Sequence, residues 1–137
     1  MKISTVLIVV AVSSIVCLPA CSRKPSDPRA ALVGQWNLHV GTGDCSGRGI
    51  ESSTLELRND GTSEQRDKFK DGPEFVTAGK WRPESDDGVA IDNLRITNTG
   101  EIDKYAFPIH ASLIVEWSKP PNILLNPHDD CFFSKAY

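Results

Sequence analysis

Short stretches in which apolar and polar residues alternate, separated by turns, are the feature that most limits how this chain can fold. Every second residue of "GQWNLHV" (34–40) is apolar, and the longest such run extends from Tyr105 to Trp117. Alternation of this kind predicts strands with one buried face. Turn sequences interrupt the runs at short intervals, among them "NDG" (59–61), "KDGP" (70–73) and "ESDDG" (84–88).

About eight short strands follow from this pattern, which favours an all-β fold, a small antiparallel β-barrel or a strongly bent sandwich. A phase break near Asp92-Asn93 predicts a bulge, and Pro108 favours a bend or two strands within the longest run. "TSEQRDKF" (62–69) is polar on both faces and predicts an exposed or edge strand. A short helix within residues 23–33 stays open. The predicted core is Trp36, Leu38, Leu55, Leu57, Phe75, Trp81, Ile91, Phe107, Leu113, Val115 and Leu125.

The N-terminal segment has the three-part form of a secretory signal. Met1-Lys2 supplies a short positive region, residues 3–18 are apolar apart from scattered serine and threonine, and the small residue Ala20 precedes Cys21. Pro19 and the polar segment that follows weigh against the alternative of an uncleaved membrane-spanning helix. We therefore expect residues 1–20 to be removed as a signal peptide.

The residues "LPAC" (18–21) resemble the lipobox of bacterial lipoproteins. The resemblance implies cleavage before Cys21 and acylation of that residue, which would anchor the chain in a membrane through two or three acyl chains. In such lipoproteins a serine after the cysteine indicates export, so Ser22 implies an outer-membrane protein that faces the periplasm. The alternative is an ordinary signal peptide followed by an unrelated cysteine.

Composition and charge divide the rest into a tether, 21–31, and one domain, 32–137. Removal of the signal takes away one lysine, which leaves 14 basic and 18 acidic residues and a net charge of −4. The clustered cations are Arg23, Lys24 and Arg29, all in the tether. A nucleic-acid partner is therefore disfavoured, because phosphate binding needs a concentrated basic face.

The four cysteines divide between the signal, the anchor and the domain. Cys17 leaves with the signal and Cys21 carries lipid, so Cys45 and Cys131 remain in a compartment that oxidises thiols. A disulfide between them is the economical interpretation. Metal binding by this pair is a poor alternative, because the usual paired-ligand spacing is absent.

The chain contains two Gly-x-Trp motifs, Gly34-Gln35-Trp36 and Gly79-Lys80-Trp81, with the hairpin sequence "DGT" (60–62) between them. These features resemble the small bacterial lipocalin-like domains, which begin with a Gly-x-Trp strand, continue through a "dGt" hairpin and carry a second Gly-x-Trp near mid-chain. The resemblance implies a lipocalin-like β-barrel that binds a small ligand. Trp36 and Trp81 are expected to plug the barrel, with a platform for a ligand as the alternative. The matching segments are "LVGQWNL" (32–38), "STLELRNDGTSEQ" (53–65) and "TAGKWRPE" (77–84).

Motifs for catalysis are missing from the sequence. No serine stands in a nucleophile elbow, and no glycine-rich phosphate loop precedes a helix. His128 lies beside Asp129 and Asp130, but adjacent residues do not by themselves assemble a metal coordination shell. We therefore expect a non-enzymatic protein without catalytic residues, metal or cofactor.

Two functions of different class fit these observations. The first is a binding module for a small apolar or envelope-derived ligand, and the second is an inhibitor or immunity-type protein that blocks a periplasmic hydrolase or toxin. A structural lipoprotein without a discrete ligand is a third. A barrel cavity of roughly 300 Å³ would favour a small ligand, whereas a filled interior would favour a protein partner or a structural role. The candidate partner-contact residues, in loop 41–49 and the "ESDDG" turn, are Asp44, Arg48, Asp86 and Asp87.

Overall fold

The computed structural model describes residues 24–40, 49–84, 87–126 and 131–137. Eight antiparallel strands form a closed barrel, in which neighbours in sequence pair and the last strand pairs with the first. The predicted small antiparallel barrel of about eight strands is confirmed. Its elements are α1 (Pro28–Leu32), β1 (Gly34–Val40), β2 (Ile50–Leu57), β3 (Thr62–Phe69), β4 (Glu74–Glu84), β5 (Gly88–Arg95), β6 (Pro108–Glu116), β7 (Asn122–Asn126) and β8 (Cys131–Lys135).

The barrel has two ends with different coverings. At the helix end, hairpin 58–61 joins β2 to β3, and α1 packs beside it through the bond from Arg29 Nη2 to the Asn59 carbonyl (3.1 Å). At the loop end, turn 70–73 joins β3 to β4, and a longer connection, 96–107, joins β5 to β6. Successive connections alternate between the two ends because neighbouring strands run in opposite directions.

Inward-facing apolar side chains form one core that spans the barrel. Trp36 and Phe133 are its largest fully buried members, and they come from the paired strands β1 and β8. Two predicted core residues, Leu38 and Phe75, are only partly buried but pack against this core. The predicted core residues confirmed as buried are Trp36, Leu55, Leu57, Trp81, Ile91, Leu113, Val115 and Leu125.

Phe107 is the predicted core residue that the structure places outside the core. Its side chain is 83% exposed and lies in connection 96–107, just before β6 begins at Pro108. Pro108 is the register partner of Arg95, where β5 ends, so earlier residues have no strand with which to pair. The long alternation therefore covers part of a connection and one strand, and Ile102 of the same connection is buried instead.

Strand β3 is not an edge strand, which corrects the prediction for residues 62–69. It pairs with β2 on one side and β4 on the other, and its inward positions include Gln65, Asp67 and Phe69. A polar inward face is tolerated because its side chains are hydrogen-bonded to one another. Buried and less buried positions alternate along β3. Several of the buried positions hold polar residues, so the hydrophobicity of the sequence does not show this alternation.

Part of the predicted tether, residues 28–31, is helical in the structure. Helix α1 starts at Pro28, and the Asp27 side chain accepts a hydrogen bond from the Ala30 amide at 3.1 Å. Leu32, at the other end of α1, is fully buried. Residues 28–31 therefore belong to the packed structure, and only the preceding part of the predicted tether is left to act as a spacer.

The predicted bulge near Asp92-Asn93 is confirmed. The register between β5 and β6 shifts between Ile91 and Leu94, and Asn93 takes a positive φ of 59°. On the other side, β5 pairs with β4 only as far as Asp92. A side chain at Gly79 would overlap the Asp92 carbonyl oxygen, so glycine permits the close approach of the two backbones here.

Candidate functional site

The helix end is closed by two tryptophans whose polar atoms are already used. Trp36 is fully buried, and its Nε1 donates to the Leu32 carbonyl at 3.0 Å. Trp81 is 4% exposed, and its Nε1 donates to the Arg58 carbonyl at 2.8 Å. Both tryptophans therefore lie in the packed closure of this end, where neither presents a free indole N–H to a ligand.

The C-terminal carbonyls of α1 are bonded to the barrel. The Lys135 ammonium donates to the Ala31 carbonyl, and burial lowers the Lys135 pKa from its ordinary value. The Arg29 guanidinium lies 4.9 Å from the centre of the Trp81 ring, a cation–π contact. These contacts stabilise the closed helix end. The loop end is therefore the candidate place for binding.

The loop end contains a group of buried polar side chains, which we call the interior polar cluster. Four strands contribute to it, β2 to β5, and Ser53, Gln65, Asp67 and Thr77 are each at most 8% exposed. Polar groups are rare inside small barrels because their burial costs free energy unless hydrogen bonds replace those to water. The members of the cluster are Ser53, Gln65, Asp67, Thr77 and Arg95.

Gln65 connects β3 to β5 across the interior. Its Oε1 accepts from the Arg95 amide at 2.7 Å, and its Nε2 donates to the Arg95 carbonyl at 3.1 Å. This pair of bonds imitates a strand ladder at a point where β5 has already separated from β4. The Gln65 side chain thus fixes the end of β5, from which connection 96–107 departs.

Arg95 joins the interior polar cluster to connection 96–107. Its Nη1 donates to the Ala106 carbonyl at 2.7 Å, and its guanidinium lies over the Phe75 ring, 4.9 Å from the ring centre. Its Nε lies 3.5 Å from Thr77 Oγ1. Arg95 therefore spans the space between β4 and the connection.

Asp67 is the buried ionisable group of the cluster. Ser53 Oγ donates to its Oδ1 at 2.6 Å, and Gln65 Nε2 donates to the same oxygen at 3.0 Å. The other oxygen, Oδ2, has no hydrogen-bond partner among the described residues. Burial raises the pKa of Asp67 to about 6, although the two hydrogen bonds and the Arg95 charge act in the opposite direction.

The raised pKa of Asp67 predicts how stability depends on pH. The folded state binds the proton more tightly than the unfolded state, so this group's contribution to the free energy of unfolding is full below about pH 4 and is lost as the pH rises through about 6. We expect the stability of Asp67→Asn, relative to wild type, to rise by up to about 3 kcal/mol between pH 4 and pH 7.5. Urea denaturation across this range measures the difference.

Asp71→Asn is the matched control, since it removes one carboxylate from the exposed turn 70–73. It reproduces the change in net charge without altering the interior polar cluster. A difference between Asp67→Asn and wild type that stays constant from pH 4 to pH 7.5 would contradict the raised pKa.

Connection 96–107 and the start of β6 form a groove of about 340 Å³ at the loop end. Tyr105 and Phe107 are 76% and 83% exposed, and Ile109 is 39% exposed, so large apolar side chains face solvent here. A side chain at Gly100 would overlap the Leu125 carbonyl oxygen, which shows how closely the connection packs on β7. The groove is lined by Ile96, Thr97, Asn98, Asp103, Tyr105, Ala106, Phe107 and Ile109.

The candidate partner-contact residues are only partly covered by the described chain. Asp87, where β5 is about to begin at the helix end, accepts a hydrogen bond from Trp117 Nε1 at 3.0 Å and lies 3.7 Å from the Lys24 ammonium. By contrast, β1 ends and β2 begins at the loop end. The structure therefore does not bring the flanks of the two predicted loops together. The other three predicted contact residues, Asp44, Arg48 and Asp86, lie outside the described residues.

The predicted lipidation and disulfide residues are also only partly covered. Cys131 begins β8 and is 2% exposed. Cys21 and Cys45 lie outside the described residues, as do residues 127–130, which include His128. Lipidation and the Cys45–Cys131 pairing stay predictions.

Sequence reasoning missed the interior polar cluster and the exposed groove. The parity of Gln65 and Asp67 with buried Phe69 was a usable signal, since residues two apart on a strand share a face. For Tyr105 and Phe107, the signal was Pro108, which marks the first residue of β6.

Comparisons with known proteins do not assign the chain to a family. No protein family, no curated protein and no solved structure matches the chain. The closed eight-stranded antiparallel barrel is consistent with a lipocalin-like barrel. Among the described residues, no helix is long and apolar enough to cross a membrane, and no group of three or more histidine, cysteine, aspartate or glutamate side chains is placed to hold a metal.

Proposed function

We propose that this chain is a lipid-anchored envelope protein that acts as a non-enzymatic binding module for a small apolar or envelope-derived ligand. The observation that carries the proposal is the groove at the loop end, where exposed Tyr105 and Phe107 stand beside Ile96 and Ile109. Large apolar side chains that face solvent around a concave surface are typical of binding sites. Its volume, about 340 Å³, lies within the range of small-molecule sites.

The rest of the proposal depends on the sequence. Acylation of Cys21 would hold the barrel at a membrane, with export to the outer membrane favoured by Ser22. The remaining spacer, from Cys21 to Asp27, would place the helix end nearer the membrane than the loop end, because α1 follows the spacer directly. The groove would then face away from the anchoring membrane.

Binding of N-phenyl-1-naphthylamine, an uncharged fluorescent probe, tests the groove. The protein is the mature chain, residues 21–137, with Cys21→Ser so that attached acyl chains do not compete. We expect the probe to bind and Phe107→Ser to weaken its affinity about tenfold, since roughly 1.5 kcal/mol of apolar contact is removed. Fluorescence titration gives the dissociation constants.

Ile114→Ser is the matched control for this experiment. Ile114 is 52% exposed and lies on β6 outside the groove, so its replacement removes a similar apolar surface elsewhere. Equal dissociation constants for Phe107→Ser and Ile114→Ser would contradict the proposed groove.

A protein partner is the second candidate. The apolar core that spans the barrel favours it, and so do the same two aromatics. Tyrosine and other aromatic side chains are enriched at the centres of protein interfaces. An inhibitor or immunity-type protein would use Tyr105 and Phe107 as anchors on a partner. The probe titration separates the candidates, because a small-ligand groove binds the probe in the absence of any partner.

A further inference from the structure

The unpartnered oxygen of Asp67 is the most unusual polar atom in the described chain. The Asp67 side chain is fully buried, and both of its hydrogen-bond donors, Ser53 and Gln65, point at Oδ1. Oδ2 is left as an acceptor without a donor. Native proteins rarely leave a buried carboxylate oxygen without a hydrogen bond unless water or a ligand donates one to it.

A chain of hydrogen bonds through two side chains, those of Arg95 and Gln65, links the groove to Asp67. Ala106 lines the groove, and its carbonyl oxygen is held by the Arg95 guanidinium at 2.7 Å. The backbone of Arg95 is held by Gln65, whose amide nitrogen also donates to Asp67. Opening the bond between Arg95 and Ala106 would therefore lead from the groove towards the interior polar cluster.

The charges of the cluster indicate which chemical group fits. Asp67 is an acceptor, and the Arg95 charge acts on it, so the two formal charges already balance. Arg95 would repel a cationic group, and Asp67 would repel an anionic group. Neither residue repels an uncharged donor such as a hydroxyl or an amide N–H. Such a group would donate a charge-assisted hydrogen bond to Oδ2.

We infer that Asp67 Oδ2 accepts a hydrogen bond from the head group of the bound ligand, which is an uncharged amphipathic molecule with a hydroxyl or an amide N–H. The apolar part of that molecule lies in the groove against Phe107 and Ile109, and the head passes Arg95 into the interior polar cluster. This inference rests on the proposed small-ligand function. It adds the class of ligand and the residue that selects it.

Two competitors of equal size test the role of Asp67. Octan-1-ol and 1-methoxyheptane have the same number of heavy atoms, but only the alcohol can donate a hydrogen bond. Each displaces N-phenyl-1-naphthylamine from the mature chain with Cys21→Ser, and we expect the alcohol to compete about tenfold better than the ether. In Asp67→Asn the amide nitrogen at the Oδ2 position can donate to either competitor, so the preference should vanish.

Asp71→Asn is the matched variant. It removes one exposed carboxylate and leaves the interior polar cluster and the groove unchanged, so the preference for the alcohol should persist. Failure of Asp67→Asn to fold would leave the pH dependence as the test of Asp67.

The preference for the alcohol should decline as the pH falls through about 6, because protonation of Asp67 removes the acceptor. The other groups that act on Asp67 are the uncharged Ser53 and Gln65 and the cation Arg95.

The outcomes separate the inference from the proposed function. Equal competition by alcohol and ether in the wild type, with normal probe binding, overturns the inference and leaves the groove in place. A preference for the alcohol that survives in Asp67→Asn also overturns it, since another acceptor would then be responsible. Absence of any probe or competitor binding overturns both the inference and the proposed function.

Discussion

Replacement of Trp81 by alanine is expected to lower the free energy of unfolding by about 3–5 kcal/mol. The indole is 4% exposed and packs in the core at the helix end. Its loss would leave a cavity, remove one of the two hydrogen bonds that the Arg58 carbonyl accepts, and take away the ring over which Arg29 lies. Urea denaturation followed by circular dichroism measures the change.

Trp117→Ala is the control for the Trp81 variant. Trp117 is only partly buried, and its Nε1 donates to the exposed Asp87 side chain rather than to a buried carbonyl. The same substitution there should cause a clearly smaller loss of stability. Similar losses for the two variants would show that Trp81 does not have the special role in closing the helix end that its contacts indicate.

The strands were predictable from the sequence where their two faces differ in polarity. The limits of β1 coincide with the alternating segment "GQWNLHV", and the bulge in β5 coincides with the phase break at Asp92-Asn93. In each case the pattern works because burial of one strand face is the dominant contribution to stability.

The polar interior was not predictable from the same pattern. Gln65 and Asp67 are stable inside the barrel only because Ser53 and Arg95 meet them there, and these partners come from other strands. Hydrophobic periodicity describes one strand at a time, so it does not reveal hydrogen bonds between distant segments. The limits of "TSEQRDKF" were therefore right for β3, whereas its position at an edge was wrong.

Phe107 shows the opposite error, in which apolar character was mistaken for burial. Its parity matches that of Leu113 and Val115, but β5 ends at the residue that pairs with Pro108, so the sheet does not extend to Phe107. The end of a strand depends on its neighbour, which the residues of the strand itself do not specify. The exposed Phe107 then becomes a candidate binding residue, because burial in the fold does not account for it.

Under the proposed function, one end of the barrel serves stability and the other serves binding. At the helix end, Trp36, Trp81 and Lys135 bond to backbone carbonyls and leave little that a ligand could use. At the loop end, Asp67 is held in a state that costs free energy at neutral pH, and a groove with exposed aromatics lies at the same end. Binding sites commonly tolerate such costs because the ligand supplies the missing contacts.

Reduction of the predicted Cys45–Cys131 disulfide is expected to lower the free energy of unfolding by roughly 4 kcal/mol, since the bond would close a long loop in the unfolded chain. Cys131 begins β8 and is the register partner of Val40, the last residue of β1. Cys45 follows Val40 closely in sequence, so the bond would reinforce the strand pair that closes the barrel.

Urea denaturation with and without reductant measures this loss, and a variant with both cysteines replaced by serine provides the control, since reductant should not change its stability.

The bond would also restrict the segment between β1 and β2, whose flanks lie at the same end of the barrel as the groove. Reduction should therefore destabilise the loop end more than the helix end, which hydrogen exchange of the β1 and β8 amides can locate. Two thiols that react with an alkylating agent in protein purified without reductant would contradict the pairing, and closure of the barrel would then depend on the β1–β8 hydrogen bonds and the packing of Phe133 against the core.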